Sequence, residues 1–272
     1  MLTIKEYKKV ESLEEAWELN QKRSSRLIGG MMWQKMSKGN CAVAIDLSGL
    51  GLDQIREDAD QFEIGCMVTL RALEQHQGLL SYTDGAVKEA LRHIVGVQFR
   101  NTATVGGSIY GKYGFSDVLT LFLAMDTYVE LYRAGTVPLP EFAAKDYGRD
   151  VLVRICVKKH PGRFVYQSVR NTQTDFPVLT CAAARLPGQP FLAVFGARPG
   201  RAVRLFDDNG ILGEQITEEA AREFGKYAAG RIKTGGNMRG SKEYRTHLVR
   251  VLSERAALSL ADGRENRNDC HS

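Results

Sequence analysis

Two adjacent glycines, Gly106 and Gly107, set inside Arg100-Asn-Thr-Ala-Thr-Val-Gly-Gly-Ser-Ile109 and followed by Ser116-Asp117, constrain this chain more than any other stretch. Without Cβ atoms the pair lets the backbone turn tightly and lets another group come close to it. Hydroxyl residues stand on either side, Thr104 and Ser108. A loop of this kind can leave amide N–H groups directed at anionic oxygen, and a phosphate is its natural guest. A glycine pair alone is ordinarily only a turn, so the rest of the chain has to decide.

With 272 residues, 43% hydrophobic and 25% charged, the chain can bury the cores of two modest domains or one large one. No apolar run has the length of a membrane span, and Met1-Leu-Thr-Ile-Lys-Glu-Tyr-Lys-Lys9 lacks the apolar core of a signal peptide, so a cytoplasmic location is expected. The net charge of +5 is spread along the sequence and gives nucleic-acid binding little support. Five widely separated cysteines, with no C-x-x-C, read as reduced structural thiols and cannot hold an iron–sulfur cluster. The five histidines are isolated, and there is no G-x-S-x-G motif, so neither a catalytic nucleophile nor a metal site is expected.

Along the chain, Ser12-Leu-Glu-Glu15 is a capping-box pattern that predicts a helix over about 13–22. Arg26-Leu-Ile28 ends as a strand at Gly29-Gly30, and Cys41-Ala-Val-Ala-Ile45 is a second buried strand. Phe62 to Thr69 reads as a strand followed by a helix from Thr69, and Val87, Ala90, Leu91, Ile94 and Gln98 predict a helix capped by Asp84 and ending near Gly96. Val118, Leu121, Phe122 and Met125 give a short apolar helix; Asp117 before them reads equally as its N-cap. Further strands are expected at 128–132, 151–157, 164–169, 178–186 and 191–197, and helices at 217–229 and 241–260. Gly162 to Phe164 marks a domain boundary, and the polar end from about Asp262 is expected to fray.

Four segments, taken in order, resemble the FAD-binding subunit or domain of the molybdenum hydroxylases: xanthine dehydrogenases, aldehyde oxidases and the medium subunit of carbon monoxide dehydrogenase. Arg100 to Ile109 is similar to that family's R-N-x-A-T-I-G-G-N-I, with Ser116-Asp117 at the place of its S-D pair. Leu27-Ile-Gly-Gly-Met-Met-Trp33 occupies the place of its A-G-G-T-D-L loop, with Met31 and Met32 where polar residues are usual. Tyr166-Gln-Ser-Val-Arg170 with Asp175-Phe-Pro-Val178 resembles F-x-K-x-x-x-R-x-x-D-x-A-V, with Gln167 falling where a lysine is common, and Arg239 to Arg245 resembles S-x-E-Y-R.

The resemblance implies an α+β chain. Residues 1–162 would form an FAD-binding fold of the vanillyl-alcohol oxidase/PCMH type with α/β subdomains of about 1–55 and 56–162; residues 163–272 would form a small α+β domain with a three-stranded antiparallel sheet and helices. It implies FAD held by Leu27, Ile28, Gly29, Gly30, Met31, Met32 and Trp33 in one loop and by Thr104, Val105, Gly106, Gly107 and Ser108 in the other. Asp117 would bond the ribose or ribityl region and Gln167 would face the cofactor. Because Met31 and Met32 cannot replace the usual polar side chains, the Thr104–Ser108 loop is expected to supply much of the anchoring, each N–H to phosphate bond contributing roughly 1.5–3 kcal/mol. The implied role is an electron-transfer subunit in a hetero-oligomer with a molybdenum-cofactor subunit and a [2Fe-2S] subunit, reducing NAD+ or another acceptor. The alternatives are a flavin-deficient scaffold subunit of the same kind of complex and a stand-alone small flavoprotein.

Overall fold

A computed structural model describes residues 2–261. The expected frayed stretch from Asp262 lies outside the described residues. The strands are β1 (Leu2–Lys9), β2 (Arg26–Ile28), β3 (Gly39–Asp46), β4 (Ile55–Glu57), β5 (Gln61–Gly65), β6 (Thr127–Leu131), β7 (Gly135–Pro138), β8 (Leu152–Lys158), β9 (Arg163–Arg170), β10 (Pro177–Arg185), β11 (Leu192–Gly196) and β12 (Val203–Phe206). The helices are α1 (Leu13–Asn20), α2 (Leu70–Gln75), α3 (Gln77–Tyr82), α4 (Ala86–Leu91), α5 (Val97–Arg100), α6 (Val105–Tyr110), α7 (Asp117–Phe122), α8 (Leu139–Ala144), α9 (Glu218–Arg231) and α10 (Lys242–Ser259). They form two compact units, neither continuous in sequence. No helix among the described residues is long and apolar enough to cross a membrane.

The first unit comprises residues 2–76, 95–112 and 126–159. It holds a parallel sheet in the order β1-β3-β2 and an antiparallel sheet in the order β4-β5-β8-β6-β7. The capping box is real: Ser12 Oγ accepts from the Glu15 N–H at 3.1 Å and the Glu15 carboxylate accepts from the Glu11 N–H at 2.9 Å, which fixes where α1 starts. The β5 strand stops at Gly65, earlier than the pattern suggests, and the chain turns there, the Val68 N–H donating to the Gly65 carbonyl at 3.1 Å. Thr69 then caps α2, its Oγ1 accepting from the Ala72 N–H at 3.1 Å.

The second unit comprises residues 77–94, 113–125 and 160–261. Its antiparallel sheet runs β12-β11-β10-β9, four strands where three were expected. The added strand, Val203-Arg-Leu-Phe206, is short and half-buried and carries too little alternation to declare itself in sequence. One face packs on α9 and α10 through Leu179, Cys181, Ala183, Ala193, Phe195, Phe224 and Leu252. The opposite face of β10 meets α7, where Thr180 and Thr120 hydroxyls lie 3.3 Å apart. That two-sided burial is why β10 reads as a continuous small-apolar run.

The single helix expected from Asp84 to about Gly96 is broken. Asp84 (φ 51°), Gly85 (φ 79°) and Val95 (φ 51°) all lie in the left-handed region, so α4 spans only Ala86–Leu91 and its N-cap is Gly85 rather than Asp84.

Candidate functional site

The first unit brings the two glycine loops together. Leu27 and Ile28 close β2 against Ile45 and Asp46, and the chain then reverses through Gly30 (φ 70°) and Met31 (φ 61°). A Cβ on Gly30 would stand 1.9 Å from the Thr102 carbonyl oxygen, and one on Gly29 would stand 2.7 Å from Thr104 Oγ1. A Cβ on Gly107 would lie 3.3 Å from the same Thr104 Oγ1 and 3.9 Å from the Gly29 carbonyl oxygen. The first loop therefore rests on the backbone of the second, with Thr104 between them, and only glycine permits that approach at 29 and 30.

The N–H groups of the two loops are used differently, and this reverses an expectation. In the second loop Val105 donates to the Val68 carbonyl (2.8 Å), Gly106 to that of Cys66 (2.9 Å), Gly107 to Thr104 Oγ1 (3.2 Å) and Ser108 to the Thr104 carbonyl (3.2 Å). Those donors cap and continue α6 instead of waiting for an anion. Among the described residues, no acceptor lies in range of the Gly29, Gly30, Met31 or Met32 N–H. All four are half-buried, so the donors available to a phosphate belong to the loop whose side chains departed from the family pattern.

Gly106 and Gly107 also separate in role. Gly106 is buried, and a Cβ on it would stand 2.5 Å from the Cys66 carbonyl oxygen; it is a packing glycine. Gly107 is exposed. Val105 is buried core, Ser108 Oγ bonds back to the Thr104 carbonyl at 3.2 Å, and Trp33 is 43% exposed with an edge contact to Phe99.

Two side chains support these loops. Arg100, 5% exposed, donates from Nε (2.9 Å) and Nη2 (3.3 Å) to the carboxylate of Glu74 on α2, fixing the Arg100–Thr104 segment on which Gly30 sits. Gln34 Nε2 donates to the Leu27 carbonyl at 2.9 Å across the base of the first loop. Neither partner is close in sequence to the pattern that would announce it.

Asp117 and Gln167 belong to the second unit. The N-cap of α7 is Ser116, whose Oγ accepts from the Leu119 N–H at 3.1 Å; Asp117 is the first helical residue. Its carboxylate is buried and accepts from the Tyr166 hydroxyl and the Arg170 guanidinium. Burial pushes the Asp117 carboxyl up to about 6, while Arg170 and Tyr166 act to hold it down. Strand alternation places Tyr166 and Arg170 on this face of β9 and Gln167 on the other, level with Val165 and Val169, which pack against the core beneath α9 and α10. The spacing F-x-K-x-x-x-R counted from Phe164 to Arg170 puts Tyr166, not Gln167, at the lysine position. The offset was one residue, and one residue reverses the face.

The second unit also carries a groove of about 430 Å³ lined by Phe115, Phe176, Pro199, Arg201, Asn237 and Arg239, among others. Tyr113 and Phe115 stack at 5.2 Å, Phe115 meets Phe176 edge-on at 4.5 Å, and the Arg239 guanidinium lies 4.9 Å over the Phe176 ring while paired to Asp175 at 2.9 Å. Among the described residues no cluster of His, Cys, Asp or Glu could hold a metal ion.

A backbone cradle with four unpaired donors, seated on a surface that admits no Cβ, fits the pyrophosphate of a dinucleotide cofactor. Comparison with known proteins identifies the family. Residues 3–157 match the model of the FAD binding domain in molybdopterin dehydrogenase, and residues 164–260 match that of the CO dehydrogenase flavoprotein C-terminal domain. The nicotine 6-hydroxylase medium subunit of Paenarthrobacter nicotinovorans is 24% identical over 265 residues, covering 90% of this chain and 93% of that one. Among solved structures, quinoline 2-oxidoreductase from Pseudomonas putida 86 superposes with a TM-score of 0.85 at 20% identity, covering 95% of this chain and 97% of that chain. Carbon monoxide dehydrogenase from Hydrogenophaga pseudoflava gives 0.82 at 24% identity, covering 94% and 96%. With more than half of its length matched by one family model, this chain belongs to the family of FAD-binding domains of molybdopterin dehydrogenases.

Proposed function

We propose that this protein is the FAD-binding, electron-transferring medium subunit of a molybdenum hydroxylase complex, working with a molybdenum-cofactor subunit and an iron–sulfur subunit. The observation that carries the cofactor assignment is the set of unpaired N–H groups at Gly29, Gly30, Met31 and Met32 beside Thr104 and Gly107. These amides would donate to the pyrophosphate oxygens, and Thr104 lies between the two loops, close to both Gly29 and Gly107. When bound, FAD supplies a centre that can receive electrons singly and release them as a pair. The chain's part is to bind and orient it; among the described residues no metal-binding cluster supplies chemistry of its own. The names of the relatives, which are medium subunits of a hydroxylase and a dehydrogenase, support the assignment to a multi-subunit enzyme.

For the electron acceptor we put forward NAD+, with another planar acceptor as the alternative. The aromatic wall of Phe115 and Phe176 and the guanidinium groups of Arg201 and Arg239 suit a flat ring carrying phosphate.

The visible spectrum of the purified protein tests the cofactor assignment. Flavin bands that co-elute with the chain, or that appear when FAD is added to it, are the expected result. A colourless protein that ignores added FAD overturns it in favour of a scaffold subunit. Affinity capture of the chain from its native source, with metal analysis of what accompanies it, tests the partners: molybdenum and iron are expected, and their absence leaves the chain a stand-alone flavoprotein.

A further inference from the structure

Across the mouth of the first glycine loop, one side chain ties the two ends. Gln34 opens the short 3-10 turn Gln34–Met36, and its Nε2 reaches back seven residues to the Leu27 carbonyl at 2.9 Å. The tie is reinforced on both sides. The Ser37 hydroxyl donates to the Gln34 carbonyl at 2.7 Å and accepts from Arg26 Nη1 at 2.9 Å, while the Lys35 N–H donates to the Met31 carbonyl at 2.9 Å. The loop from Arg26 to Ser37 is thus tied near its ends, and none of these contacts uses the Gly29–Met32 N–H groups.

The other atom of the same amide is left over. Gln34 Oε1 is buried and has no hydrogen-bond donor. A buried acceptor without a donor is costly, and such atoms in a folded protein call for an explanation. Exchanging the amide oxygen and nitrogen would set an oxygen against the Leu27 carbonyl, so the Leu27 bond fixes the assignment. Covalent geometry keeps Oε1 beside Nε2, within the loop whose donors are also unpaired.

We infer that Gln34 is the positioning residue of the dinucleotide site: Nε2 fixes the Gly29–Met32 loop in its phosphate-donating form, and Oε1 accepts from a hydroxyl of the bound cofactor. This inference rests on the flavin assignment. It explains how the loop works with Met31 and Met32 in place of polar side chains, since a glutamine farther along the chain supplies both the brace and the polar contact.

The test compares FAD dissociation constants for the wild-type chain, Gln34→Met and Gln34→Lys, read from flavin fluorescence in about 0.5 M salt to screen a lysine's attraction for phosphate. Methionine keeps the length and removes both polar functions; lysine keeps a donor and removes the acceptor. Apoprotein melting temperatures run in parallel identify any variant that has merely unfolded. The expected order is wild type tightest, Gln34→Lys weaker, and Gln34→Met weaker again, by about tenfold or more relative to wild type. Equal affinity for wild type and Gln34→Met overturns the inference. Equality of Gln34→Lys with wild type overturns the acceptor role, and equality of the two variants overturns the brace. A wild-type chain that binds no FAD defeats the flavin assignment instead.

Discussion

At the scale of single residues, the glycines of the two loops differ in what a side chain would meet. Gly106 faces the Cys66 backbone, Gly30 faces the Thr102 carbonyl with a positive φ, and Gly107, although exposed, faces Thr104 Oγ1 and the Gly29 carbonyl of the first loop. Gly106→Val should therefore destabilise the fold by about 3 kcal/mol or more, because neither the strand end nor the short helix can yield. Gly107→Val should change stability by no more than about 1 kcal/mol while weakening FAD binding, since its branches occupy the approach to the first loop. Denaturant midpoints and flavin content of the two variants, measured together, check this; similar destabilisation by both would show that the distinction between a packing and a site glycine is mistaken. The adjacent glycines were legible in the sequence, but their different jobs were not. Which neighbour comes within 3 Å of a missing Cβ depends on residues 40 or more positions away.

At the scale of elements, α7 and β9 are joined by one buried carboxylate. Asp117 at the start of α7 accepts from Tyr166 and Arg170 on β9, and its acidity is lowered because burial disfavours the charge more than Arg170 restores it. A carboxyl whose folded value is about 6, against an ordinary value of 3.8, binds its proton more strongly in the folded state. The stability it contributes is full below the ordinary value and is lost as pH rises through the folded one. The stability of the wild-type protein relative to Asp117→Asn should thus fall between about pH 4 and pH 6 and then level off. Urea melts of both proteins across that range measure it; a difference that rises over the same interval would mean that the Arg170 pairing dominates. The helix start at 117 could be read from its apolar spacing. The identity of the partner could not, because the choice between Tyr166 and Gln167 is a choice of strand face, and a one-residue offset exchanges the faces. Similarly, the helix expected around 84–96 failed at left-handed residues, Asp84 and Val95, whose side chains do not mark them in advance.

At the scale of the whole molecule, native packing governs the thiols. Burial pushes the Cys66 and Cys181 thiols up to about 12 and Cys156, beside Glu63 and Glu130, up to about 11. At about pH 8 these three should resist alkylation in the native protein and react fully in denaturant, as mass spectrometry of the labelled chain would show; rapid native labelling of Cys181 would contradict the closed core under α9 and α10. The five cysteines are widely separated in sequence, without the spacing of iron–sulfur ligands. By itself the sequence determined the family, the mixed α and β architecture, the order of most elements and the two glycine loops. These are local facts, written in hydrophobic period, capping residues and glycine placement. Only the tertiary structure decided which loop keeps its N–H groups available, that Gln34 braces it, and that Asp117 turns inward to Arg170. Each of those outcomes depends on which distant carbonyl, carboxylate or guanidinium completes a hydrogen bond, and such partners are fixed by packing rather than by neighbours along the chain.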